Sequence, residues 1–144
     1  MASICPYSLG YDMATGAVDF DTHSFKIMLL TPSYTPSQSH DRRNDVEANE
    51  VSASGTGYVA GGEDITVSSV TRSNGVTSVT FASRTTWTNP LTGLTARYGA
   101  LYRAVGGASS ADPLVGIVDF GGNVVANGLD FAVDITSALT ITVS

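Results

Sequence analysis

Charge is scarce in this sequence. Asp, Glu, Lys and Arg make up 14% of the 144 residues, against about a quarter in an ordinary globular chain. Basic residues are scarcest: Lys and Arg total 7 against 13 acids, for a net charge of −6. Proteins that grip nucleic acid neutralise phosphates with clustered Lys and Arg, so no nucleic-acid partner is expected. Cysteine is nearly absent. Cys5 stands alone, so no internal disulfide is possible, which fits folding in a reducing cytoplasm. No apolar run approaches the roughly 18 residues of a membrane helix, and no membrane partner is expected. The opening Met-Ala-Ser-Ile-Cys-Pro has neither the basic stretch nor the apolar run of a secretion signal.

Patterns that carry chemistry are equally thin. Only His23 and His40 could supply imidazole. Neither has a His or Cys at metal-ligand spacing, so both read as solvated loop residues. Asp19-Phe20-Asp21 is a fragment of a calcium loop without its distal glutamate. There is no Gly-x-Ser-x-Gly elbow, and Cys5 reads as a small apolar residue. The glycine-rich stretch 55–62 lacks the Lys-Ser/Thr of a phosphate loop and runs into Glu63-Asp64, which would repel phosphate. No catalytic, cofactor-binding or metal-ligating residues are expected, and no cofactor.

What the chain has instead is hydroxyl and β-branched side chains. Ser and Thr occur 17 times each. Hydroxyls cost less to bury than ions, so such a surface suits packing against other proteins, though Thr enrichment also simply accompanies strands. Residues 24–31 are a compact apolar run, read as a buried strand. Residues 38–50 read as a polar loop or one short surface helix, with Ser39 or Asp41 as cap. Two β-branched runs flank Ser73-Asn74-Gly75, the sequence of a hairpin with a type I′ turn.

In 94–104, Leu94, Ala96, Tyr98, Ala100, Tyr102 and Ala104 share one parity, which predicts a strand with a single core face. Residues 114–120 are apolar on both parities, as in a central strand. The C-terminal apolar residues from Leu129 to Val143 share one parity, compatible with one bent strand or with a hairpin having a three-residue loop at 136–138. No helical period is found. The expected fold is all-β: one β-sandwich or small barrel of about seven to nine mostly antiparallel strands over 24–144. Residues 1–23 read as an extended N-terminal arm, with or without one short strand, that orders against a partner.

Residues 26–62 resemble a known family. KIMLLTPSYTP, then HD, then DVEANEVSASGTGYVAGG is similar to small structural proteins encoded by tailed bacteriophages. In these, a strand ending Leu-Thr-x-Ser-Tyr-Thr-Pro precedes His-Asp and a Glu-Val-Ser-Gly-Thr-Gly-Tyr-x-x-Gly-Gly stretch. TARYGALYRA and LVGIVDFGG share the likeness. The stretch from Glu50 to Tyr58 is two residues longer than the family pattern, which lengthens a turn.

The resemblance implies a virion protein made in the host cytoplasm. Its expected role is a capsid decoration or cement protein that binds the major capsid protein or other virion proteins. A tail or head–tail connector component is the alternative. A carbohydrate-binding module is a third reading, with Trp87 as the platform. It implies no catalytic residues. Tyr34 and Tyr58 are expected to anchor the long loop to the sheet. Closed symmetry of virion sites suggests a homo-oligomer, a trimer first. Candidate interface residues are Ile4, Tyr7, Leu9 and Tyr11 in the arm, and Arg97, Leu101 and Arg103 on the long strand.

Overall fold

A computed structural model describes residues 2–82, 87, 90–128, 131–132, 135 and 139–142. These form an all-β, sandwich-like domain of two antiparallel sheets. The larger sheet runs β1 (Ala2–Ile4), β7 (Leu114–Asn127), β6 (Thr92–Arg103), β2 (Phe25–Leu30), β3 (Glu63–Ile65); the smaller runs β4 (Val67–Ser73), β5 (Val76–Phe81), β8 (Leu139–Thr142). The expected hairpin is present: β4 and β5 join at Asn74-Gly75, with Ser73 paired to Val76. Both turn residues have positive φ, 49° and 78°, as a type I′ turn requires.

The larger sheet is buried on both faces. Along β2 the side chains alternate between two clusters. Phe25, Ile27 and Leu29 enter the core between the sheets, while Met28 and Leu30 enter a second cluster on the outer face. A loop, residues 31–50, covers that outer face and contributes Tyr34 and Val46. In place of a surface helix, 38–50 holds two single 3-10 turns, Arg43–Asp45 and Glu47–Asn49, around fully buried Val46. Backbone bonds from Arg43 N to Asp112 O and from Leu114 N to Asp41 O lay this loop along the start of β7.

The single core face expected for 94–104 is corrected. Leu94 and Ala96 lie in the inter-sheet core, but Tyr98, Ala100 and Tyr102 lie in the outer cluster. Pairing moves from Ala96↔Val124 to Tyr98↔Asp119, two steps along β6 against five along β7. An odd register shift inverts side-chain facing. Gly99 and Leu101 therefore face the inter-sheet core, and a Cβ on Gly99 would lie 2.9 Å from Ile27 Cδ1. Four residues of β7, Phe120–Asn123, stand opposite Arg97 alone, an excess of three, and Asp119 Oδ1 accepts from Gly121 N at 2.8 Å. β7 is also longer than expected, since pairing resumes beyond this bulge to Asn127.

Residues 2–23 are not a free extended arm. β1 pairs with β7, and a six-residue helix α1 (Leu9–Ala14) follows, too short to print a helical period in the sequence. Leu9, Val18 and Phe20 are buried in the inter-sheet core. Phe20 stacks on Phe25 with centroids 5.3 Å apart, and Phe81 meets both edge-on at 6.3 and 5.7 Å. One aromatic cluster thus joins the N-terminal segment to both sheets. At the C-terminus, β8 lies beside β5, and Phe131 and Ile135 enter the core. Whether 129–143 is one strand or a hairpin turns on residues 136–138, which lie outside the described residues.

Candidate interaction surface

The expected interface residues divide into three groups. Leu9 and Leu101 are core residues, 2% and 1% exposed, and are corrected as such. Parity with Arg97 and Arg103 predicts an outward face for Leu101, and the register shift turns it inward. Arg103 donates to Ala17 O at 2.6 Å, fastening the turn after α1 to the end of β6. It is spent on an intramolecular contact.

Ile4 lies on the edge strand β1, Arg97 on the interior strand β6, and Tyr7 and Tyr11 just before and within α1. Tyr7 and Tyr11 are 76% and 71% exposed. Tyr7 lies in the turn that leads into α1, and Tyr11 lies within the helix. Their position is fixed from behind. Tyr7 N donates to Gln38 O at 2.9 Å, and Gln38 Nε2 donates to Cys5 O at 3.2 Å. At β1 a depression of about 220 Å³ is lined by Ser3, Ile4, Pro36, Ile117 and Asp119. Asp119 carries Arg97 to this rim. Their hydrogen bond is long, 3.5 Å from Nη2 to Oδ2, and Nε lies 3.4 Å from Oδ1 without forming one. The Arg97 guanidinium also lies over the Tyr98 ring, 5.6 Å from its centroid, a cation–π arrangement.

Buried polar contacts hold the covering loop, and these were not legible in the sequence. Arg42 pairs with Asp12 in a bidentate bond, and Arg43 Nε donates to Asp112 at 2.7 Å. The Tyr58 hydroxyl donates to Glu50 Oε1 at 2.8 Å and accepts from Leu29 N at 3.0 Å. Gly61 N donates to the same Glu50 oxygen at 2.6 Å. Burial raises the Glu50 pKa above its ordinary value despite these two bonds, and raises the Tyr58 pKa as well. Tyr34 reaches its hydroxyl to His40 Nδ1 at 2.8 Å and meets Tyr98 edge-on. Burial pushes its pKa up to about 12. Tyr34 and Tyr58 are therefore both loop anchors, and His40 is half-buried against Tyr34 instead of free in solvent.

His23 and its acidic neighbours bond to one another. Asp19 N donates to His23 Nδ1, and the Asp19 carboxylate accepts from Asp21 N and Thr22 Oγ1. Among the described residues no three His, Cys, Asp or Glu side chains converge to hold an ion. Trp87 is 7% exposed and packs between Tyr58 and Phe131, so it offers no open platform to a sugar. No family model matches the chain, and neither the curated proteins nor the solved structures include a significant match.

Proposed function

We propose that this chain is a non-enzymatic structural protein of a tailed-phage particle, acting as a capsid decoration protein that binds the shell and stabilises it. The observation that carries the reading is the exposure of two large aromatics in the N-terminal segment, Tyr7 and Tyr11. Large exposed aromatics on a surface poor in charge mark protein interfaces. Tyrosine contributes apolar area with a polar tip, and few rotamers are lost on burial. The likeness of residues 26–62 to phage structural proteins supplies the particle, and symmetric shell sites supply the homo-oligomer, a trimer first.

Attachment is apolar in this reading. With charged residues at 14%, few ion pairs are available, and buried area dominates at about 25 cal/mol per Å² before association costs. Co-sedimentation with shells stripped of the protein, with isolated tails and with duplex DNA tests it. Saturable binding to shells that persists from about 0.05 to about 1 M salt is expected, since screening acts on exposed charges. Binding to tails alone would move the protein to the tail or connector, and salt-sensitive binding to DNA would overturn the charge argument.

A further inference from the structure

The chain contains two Asn-Gly pairs, Asn74-Gly75 and Asn127-Gly128, and the fold treats them differently. Asn127 sits at the end of β7, paired with Thr92, and Gly128 N donates to Leu91 O at 2.8 Å. Asn74-Gly75 forms the tip of the β4–β5 hairpin. Both tip residues are exposed, as Asn127 and Gly128 also are, but the tip continues into an exposed run from Ser68 to Ser73 along β4, an edge strand. Among the described residues, neither the Asn74 side chain nor the Gly75 N–H has a hydrogen-bond partner. Asn74 is also the one described non-glycine residue with positive φ, in a conformation that L-residues resist.

We propose that Asn74 is a self-modifying site, whose side-chain amide is converted to a carboxylate by attack of the Gly75 nitrogen, while Asn127 is protected. The Gly75 nitrogen loses its proton and bonds to Asn74 Cγ. The Cγ–Nδ2 bond breaks, and Nδ2 leaves as ammonia, taking up a proton. Water then adds to one of the two carbonyls of the five-membered imide and opens it, giving Asp or isoaspartate. Solvent water is the only co-reactant, and nothing is oxidised or reduced.

Glycine suits the attacking position because it has no side chain to block approach. The reaction requires the left-handed turn to open. Opening at an exposed hairpin tip on an edge strand costs far less than opening the end of a ladder strand of the larger sheet. The Asp product keeps the turn, since Asp-Gly suits type I′ geometry as Asn-Gly does. Isoaspartate adds a backbone atom that a two-residue turn cannot absorb without disturbing the Ser73↔Val76 register. Both products add one negative charge to the small sheet.

Peptide mapping of folded protein aged in mildly alkaline buffer, with separation of Asp from isoaspartate, tests the proposal. Asn74 is expected to convert at least about tenfold faster than Asn127, the ratio given by only ~1.4 kcal/mol in opening free energy. Both products are expected at position 74. In parallel, Asn74→Gln should lose the acidic species that ageing produces on native isoelectric focusing, and fresh Asn74→Asp should co-migrate with it. Equal rates at the two asparagines, or an acidic species that persists in Asn74→Gln, would overturn it. The mapping arm uses the unaltered chain and stands whether or not the variants fold.

Discussion

Arg42 holds Asp12 in a bidentate ion pair, Nη1 to Oδ2 at 2.9 Å and Nη2 to Oδ1 at 3.1 Å, across thirty residues of chain. Asp12 is 1% exposed. The contact locks α1 to the loop that covers the outer face of the larger sheet. Removing one partner of a buried pair leaves the other charge unpaired. Arg42→Ala is therefore expected to cost about 3 kcal/mol, at the low end for buried pairs because the arginine is partly exposed. Leu9→Ala should cost about 2–5 kcal/mol through its cavity. Deleting residues 2–16 should abolish cooperative unfolding. Denaturant titration checks all three, and a truncated chain with an undiminished midpoint would restore the free-arm reading.

Glu50 gives stability a pH dependence of definite sign. Burial raises its folded pKa above the ordinary 4.5. Its contribution is fully present below 4.5 and is lost as pH rises through the higher folded value. Gln at this position can still accept from Tyr58 Oη and Gly61 N, because both bonds use Oε1 alone. Glu50→Gln should therefore melt above the wild type near pH 7, with the gap closing toward about pH 4. A variant that melts lower at both values would contradict this.

Gly62 cannot be replaced. Its φ is +80°, and a Cβ there would stand 1.9 Å from Ile27 O and 2.9 Å from Met28 Cα. Gly62→Ala should cost at least about 3 kcal/mol, combining backbone strain with displacement of β2. Gly55 has φ +70° and open space around it, so Gly55→Ala should cost only about 1–2 kcal/mol. The ratio of the two, measured by urea midpoints, separates close approach from conformation alone.

Tyr7→Ser with Tyr11→Ser separates attachment from folding. Both rings are mostly exposed, so stability should change by less than about 0.5 kcal/mol. Shell affinity should fall by at least about tenfold, as when an aromatic anchor is truncated. Retained affinity in the double variant would place the contact elsewhere on the molecule.

Local patterns in the sequence determined several of the strands and their sharpest turn. Phe25–Leu30, the β4–β5 hairpin at Asn74-Gly75 and the starts of β6 and β7 follow from apolar runs, period-two alternation and turn chemistry, all of which act over a few residues. The parity of Leu94 through Ala104 failed at one point, because facing depends on pairing, and β7 inserts its extra residues between the partners of Ala96 and Tyr98. Of the candidate surface, Tyr7 and Tyr11 were legible as aromatics outside any strand pattern. That Leu9, between them, is core was not, since a helix of six residues shows less than two turns of period. Tertiary structure alone decided that β1 closes on β7, that Arg42 meets Asp12 and Arg43 meets Asp112, and that Glu50 is shared by Tyr58 and Gly61. Such contacts join segments far apart in the chain, where no periodicity reaches, and only burial makes their partners obligatory.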